Sequence, residues 1–224
     1  MIGRSSSSVN MKIGNFGRFD ENLKKAGITG LTNGSKLDED IWNEFNGRWD
    51  ELAVISEQLL ADLEKREIIT AYKSDEIHIP SGSDKFITTK QRVGHNFFRN
   101  AVASSYNSVC CITGLANQEL LIASHIKPWA ESDEHEKTDP SNGLLLNALH
   151  DKAFDKGFIT VTPDYVIHIS QDIKDVVDGE SICRFFSAYD GMHITLPDKF
   201  VPSKPYLEYH NDVIFEKWRK SCVK

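Results

Sequence analysis

The chain has 224 residues, 40% of them hydrophobic, and a formal net charge of −7. That length allows one domain or one domain with an appendage, and that composition can bury a core. No apolar run approaches the ~20 residues of a membrane span and no signal-peptide pattern opens the chain, so a cytoplasmic protein without a membrane partner is expected. The four cysteines, Cys110, Cys111, Cys183 and Cys222, form no CxxC pair. A disulfide framework and a structural zinc site are therefore not expected.

Taken in order, residues 1–11 hold Ser5 to Ser8 and little apolar content, and are expected as a disordered leader. Residues 12–66 form an N-terminal helical region. It opens with loop and turns at Gly30 and Asn33-Gly34. Ser35 is then placed to cap a long helix. Leu37, Ile41, Trp42, Phe45, Trp49, Leu52, Ile55, Leu59, Leu60 and Leu63 step by three and four to about Lys65. Such a helix exceeds the usual length of roughly 8–20 residues. It either packs on the rest of the chain or pairs with its twin in a homodimer, and the two readings stand level.

Residues 67–91 are broken by Ile79-Pro80-Ser81-Gly82-Ser83-Asp84 and read as a linker. A third region, 92–224, starts with renewed helical spacing at Phe97, Phe98, Ala101, Val102 and Ser105. Its core runs from Cys110 to Phe158. Residues 119–126 are apolar and partly β-branched, which suits a buried strand. Residues 130–141 are dense in charge, Ser and Pro and read as a solvated loop. Gly143 to Leu146 is a second short apolar run. Leu149, Ala153 and Phe154 then fall at helical spacing, and Gly157 is placed to end that helix. A hairpin crossed by a helix can bring His125 and His150 to the same end.

After the core, Phe158–Val161 and Tyr165–Ile169 read as a hairpin about Pro163-Asp164, with His168 on the solvent side. Residues 181–196 read as further short strands around Asp190-Gly191, and Tyr206–Lys220 as a closing helix. His193 and His210 carry no partner spacing, and His135 lies solvated in the acidic loop.

The order His125, Asn142, His150, together with the segments Ser124-His125-Ile126-Lys127-Pro128-Trp129, Asn142-Gly143-Leu144-Leu145-Leu146 and His150-x-x-x-Phe154-Asp155-x-Gly157, resembles the HNH endonuclease family, and its restriction-associated subgroup in particular. The resemblance implies an α+β fold: a ββα-metal core, here with a long N-terminal helix and extra C-terminal strands and helix. It implies a metal-dependent DNA endonuclease in a bacterial restriction or phage-defence setting. His125 would be the general base, Asn142 would brace the hairpin and His150 would bind a divalent metal, Mg2+ with Mn2+ as substitute. Ser124 stands where many members place an acidic or histidine ligand, so a further oxygen is sought on the helix, at Asp155 or Asp151. Asp155 lies roughly 500° round the helix from His150, off its face.

Chemistry accounts for those residue types. A base near neutral pKa activates water, and a cation offsets the charge developing on the phosphate. The net charge has the wrong sign for a general nucleic-acid binder. Locally, however, Lys85, Lys90, Arg92, Arg99 and Lys127 outnumber Asp84 and Glu119 between residues 84 and 129. Arg92, Arg99 and Lys127 are the candidate DNA contacts, Arg99 serving equally well as a brace. The alternative is a non-cleaving DNA-binding or partner-recruiting module on the same fold. Thiol chemistry pairing Cys110 or Cys111 with His125 is a third reading.

Overall fold

A computed structural model describes residues 3–25, 27–31, 34–64, 83–175 and 179–215. The chain divides into two compact units, Met1–Val93 and Gly94–Lys224. No helix among the described residues is long and apolar enough to cross a membrane.

The first unit is helical: α1 (Ser6–Gly17), α2 (Glu21–Lys25), α3 (Lys36–Phe45) and α4 (Trp49–Glu64). The expected leader is helical from Ser6, because the Ser5 side chain caps it and because Lys12 and Asn15 reach Asp38 Oδ1 and Oδ2 at 2.7 and 3.1 Å. Asp38 also closes a capping box with Ser35. The hydrogen bond from Lys12 holds its carboxyl at about 2. The single long helix expected from Ser35 to Lys65 is two helices. Asn46 leaves the helical region and Gly47 takes a φ of +81°, so the apolar periodicity continues across a break that it does not encode. Residues 67–82 of the expected linker lie outside the described residues, and from Ser83 the chain is already helical in α5 (Ser83–Ser105).

The second unit contains the ββα arrangement. Strand β1 (Leu121–His125) pairs antiparallel with β2 (Gly143–Asn147), with Ser124 opposite Leu144 and His125 opposite Gly143. Helix α6 (Ala148–Asp155) follows directly. Asn147 caps it by accepting the His150 N–H at 2.9 Å. It ends in a Schellman motif: Gly157 at φ +69° donates to Phe154 O and Phe158 donates to Ala153 O.

The C-terminal half of α5 packs on β2 so closely that a Cβ on Gly143 would lie 2.9 Å from Phe98 Cζ and closer still to Val102 Cγ2. Phe98, Val102, Leu144, Leu146 and Phe154 are fully buried in one core with Ile159, Val161 and Ile167. Each such side chain contributes roughly 1.5–3 kcal/mol of hydrophobic stabilisation. The fold is α+β, as the sequence implies.

Strands β3 (Ile159–Val161) and β4 (Ile167–Ile169) form the expected second hairpin. The strands expected over 181–196 are replaced by helix α8 (Gly179–Phe185), which follows the short α7 (Gln171–Lys174), and a 3-10 turn at Ser187–Tyr189. An isolated bridge, Val166 to His193, forms there, flanked by backbone hydrogen bonds of Gly191, Met192 and Ile194 to Tyr165 and Ile167. Ile182, Phe186 and Tyr189 meet the core at helical spacing, which decides the segment. Helix α9 (Lys204–Tyr209) runs into a π turn at His210–Ile214. The remainder of the expected closing helix, from residue 216, lies outside the described residues.

Candidate active site

A cleft of ≈ 460 Å3 lies between the end of β1, helix α6 and the π turn. His125 and Ser124 come from β1, Pro128 and Trp129 from the loop, Asp151, Lys152, Asp155 and Lys156 from α6, and His210 and Ile214 from the π turn.

His125 is held on three sides. Its ring stacks on Phe98 at 3.7 Å between centroids and 11° between planes, and meets the Trp129 ring edge-on at 5.5 Å. Nε2 lies 3.0 Å from the Lys137 carbonyl oxygen. A carbonyl only accepts, so Nε2 carries the proton and Nδ1 is the lone-pair nitrogen of the neutral ring. Burial lowers the pKa of His125 to about 4; the Lys137 hydrogen bond acts the other way and nearby His95 adds to the lowering. The imidazole is therefore neutral and able to accept a proton at pH 7.

Residues 110–162 match the family model described as HNH endonuclease. This segment is an HNH domain. It spans the hairpin, the loop and α6, and so includes every wall of the cleft except the π turn. A comparison with curated proteins finds no match.

In the HNH domain Asn142 is completely buried beneath the loop. Its Oδ1 accepts the Lys127 N–H at 2.8 Å, and its Nδ2 donates to Glu136 O at 3.0 Å and Lys127 O at 3.3 Å. One side chain thus ties both ends of the loop, and Lys137, whose carbonyl orients His125, follows Glu136 directly.

The two carboxylates on α6 stand four residues apart, on one face. Burial raises the pKa of both. Asp155 raises Asp151 further, while the Ser124 hydroxyl and Lys152 act against the shift; Lys152 and Lys156 act against it at Asp155. Like charges drawn together in a partly desolvated cleft favour a cation. Ser124 Oγ is buried, and its hydroxyl acts on Asp151. Among the described residues no three His, Cys, Asp or Glu converge as a metal-binding group. Two carboxylates with a neighbouring hydroxyl and an open cleft nevertheless fit a hard divalent cation, which keeps several waters and takes substrate oxygens.

His150 does not line the cleft. It faces the core, 2% exposed, with Nε2 2.6 Å from Phe185 O and Nδ1 3.1 Å from Asn147 Nδ2. Both ring nitrogens are engaged by protein groups. The structure thus brings together His125, Ser124 and Asp155, and leaves His150 apart from them. Counting from His150 sets Asp155 off the face, whereas the i, i+4 spacing from Asp151 sets the two acids side by side, and that spacing was the available signal.

Among the candidate DNA contacts, Lys127 is paired with Glu136 at 2.6 Å and lies over the Tyr209 ring. Arg99 is exposed on α5, four residues after His95, and Arg92 belongs to the first unit. The cations on the cleft wall are Lys152 and Lys156, which the charge count over residues 84–129 did not reach. Cys110 adjoins His150 rather than His125. Burial acts to raise its thiol, but hydrogen bonds with His150 and Thr113 outweigh that and bring it to about 7. Cys111 is fully buried, which pushes its thiol well up. Among the described residues no thiol lines the cleft.

Proposed function

We propose that the chain is a metal-dependent DNA endonuclease whose HNH domain hydrolyses phosphodiester bonds in this cleft. The observation that carries the reading is the juxtaposition of a neutral, tautomer-fixed His125 with the paired Asp151 and Asp155. His125 Nδ1 takes the proton of the attacking water, and the Lys137 carbonyl stabilises the imidazolium through Nε2–H. Phe98 and Trp129 hold the ring plane during the transfer. Asp151 and Asp155 would hold the cation, with Ser124 beside them. When bound, such a cation offsets charge on the phosphate and the leaving oxygen. Lys152 and Lys156 meet flanking phosphates as point charges. Mg2+ is the working ion in this reading, with Mn2+ able to replace it. A restriction or phage-defence setting is supported only by the likeness of the flanking segments.

Supercoiled-plasmid cleavage with Mg2+, Mn2+ or EDTA tests it, on the wild type, His125→Ala and Asp151→Asn. Metal-dependent cleavage lost in both variants is expected. Cleavage by His125→Ala at the wild-type rate refutes the assignment. A non-cleaving DNA-binding module is the second reading, favoured by the presence, among the described residues, of two carboxylates at the cleft. It requires DNA binding that is equal with Mg2+ and EDTA, without cleavage.

A further inference from the structure

At the root of the hairpin, outside the cleft, four polar side chains meet. Asn147 Nδ2 lies 3.1 Å from His150 Nδ1, 3.3 Å from Thr113 Oγ1 and 3.9 Å from Cys110 Sγ. The Phe185 carbonyl fixes the proton on His150 Nε2, so Nδ1 presents a lone pair to the Asn147 amide. The same residue's Oδ1 accepts the His150 N–H, and its own N–H reaches Cys110 Sγ at 3.3 Å. Asn147 therefore ends β2, starts α6 and ties both to the turn that follows Cys110.

Cys110-x-x-Thr113 and Asn147-x-x-His150 are two short-spaced pairs drawn to one point, the layout of a tetrahedral structural metal site. Only Cys110 and His150 are metal ligands by type, and the amide nitrogen of Asn147 lies among the other three side chains. Helix α6 has eight residues. A helix that short has little stability of its own, so its direction is set by the packing of Ala153 and Phe154 on the core together with the contacts at its ends.

We propose that Asn147 and His150 are positioning residues: the Asn147-centred knot takes the part of a metal cross-link, fixing the start of α6 and so aiming Asp151 and Asp155 at His125. The role of the two acids rests on the reading given under Proposed function. Asp151 follows His150 directly, so a displaced first turn moves the carboxylates, and an error near 1 Å costs on the order of 100-fold in rate.

Asn147→Asp keeps an oxygen to cap α6 and removes the donor. Plasmid cleavage by this variant should fall on the order of 10- to 100-fold, with more Mn2+ needed for half-maximal rate. Thr113→Cys with Asn147→Cys surrounds the vacated centre with three thiols and His150. This double variant should bind one equivalent of Co2+, with the intense d–d absorption of a tetrahedral sulfur-rich site that the wild type lacks, and should cleave faster than Asn147→Asp. Co2+ absorption requires no cleavage, so an inactive wild type defeats the nuclease reading and leaves this arm to decide the knot. Wild-type cleavage and Mn2+ requirement in Asn147→Asp, or a folded double variant without the Co2+ spectrum, overturns the proposal.

Discussion

Replacing Asn142 by aspartate preserves the shape of the side chain and inverts one end of its chemistry. The amide nitrogen donates to Glu136 O at 3.0 Å and Lys127 O at 3.3 Å, while Oδ1 accepts from Lys127 N at 2.8 Å. Asn142→Asp keeps the accepted bond and sets a carboxylate oxygen against two buried carbonyls. Lys127 O keeps the Ser132 hydroxyl as a donor at 3.1 Å, so Glu136 O is the carbonyl left unsatisfied, at a cost of about 1–3 kcal/mol. The retained bond gains from the new charge, while the carboxylate faces the carbonyl oxygens, so a net loss of about 1–3 kcal/mol is expected at pH 8 by urea denaturation. The substituted carboxyl is buried, so its pKa rises in the folded state; protonation as the pH falls restores one donor, and the penalty should shrink toward pH 5. Cleavage should suffer beyond stability, because the braced loop carries the Lys137 carbonyl that fixes His125. A loss on the order of 100-fold is expected under conditions where the variant is fully folded. A penalty below about 1 kcal/mol that does not vary with pH, together with wild-type cleavage, would refute the bracing role.

Gly143→Ala should cost about 1–3 kcal/mol, since the added methyl meets Phe98 and Val102. Combining it with Val102→Ala should destabilise less than the sum of the two singles, and an additive double-mutant cycle refutes the contact. Burial holds His210, like His125, at about 4. Their unfolded values lie near 6.5, so between those limits the unfolded chain binds protons that the folded chain does not, and stability falls as the pH drops from about 6.5 to 4. Asp151 and Asp155, with raised values, act in the opposite sense. Urea midpoints of wild type and His210→Asn isolate the histidine, and the variant should show the shallower loss. The acid limb of kcat/KM for plasmid cleavage should lie nearer 4 than 6.5, because it reports the free base His125. A limb at 6.5 removes His125 from that role.

Sequence alone determined the features that rest on short-range backbone chemistry. The hairpin strands, the helical spacing of α6, its end at Gly157 and the Pro-Ser-Asn-Gly turn holding Asn142 are encoded within a few residues of where they act, by apolar runs, periodicity, turn residues and a left-handed glycine. The break at Gly47 was masked because apolar steps of three and four run across it. The helical α8 escaped because only packing of Ile182, Phe186 and Tyr189 on the core selects helix over strand there. Tertiary structure decided which side of each element became a cleft wall. His150 turns inward because Phe185 O, 35 residues on, meets its ring. Lys127 is drawn to Glu136, and His210 enters the cleft wall through a π turn far along the chain. Periodicity fixes which residues share a face. What that face meets depends on partners distant in sequence, and their position follows from how the core packs.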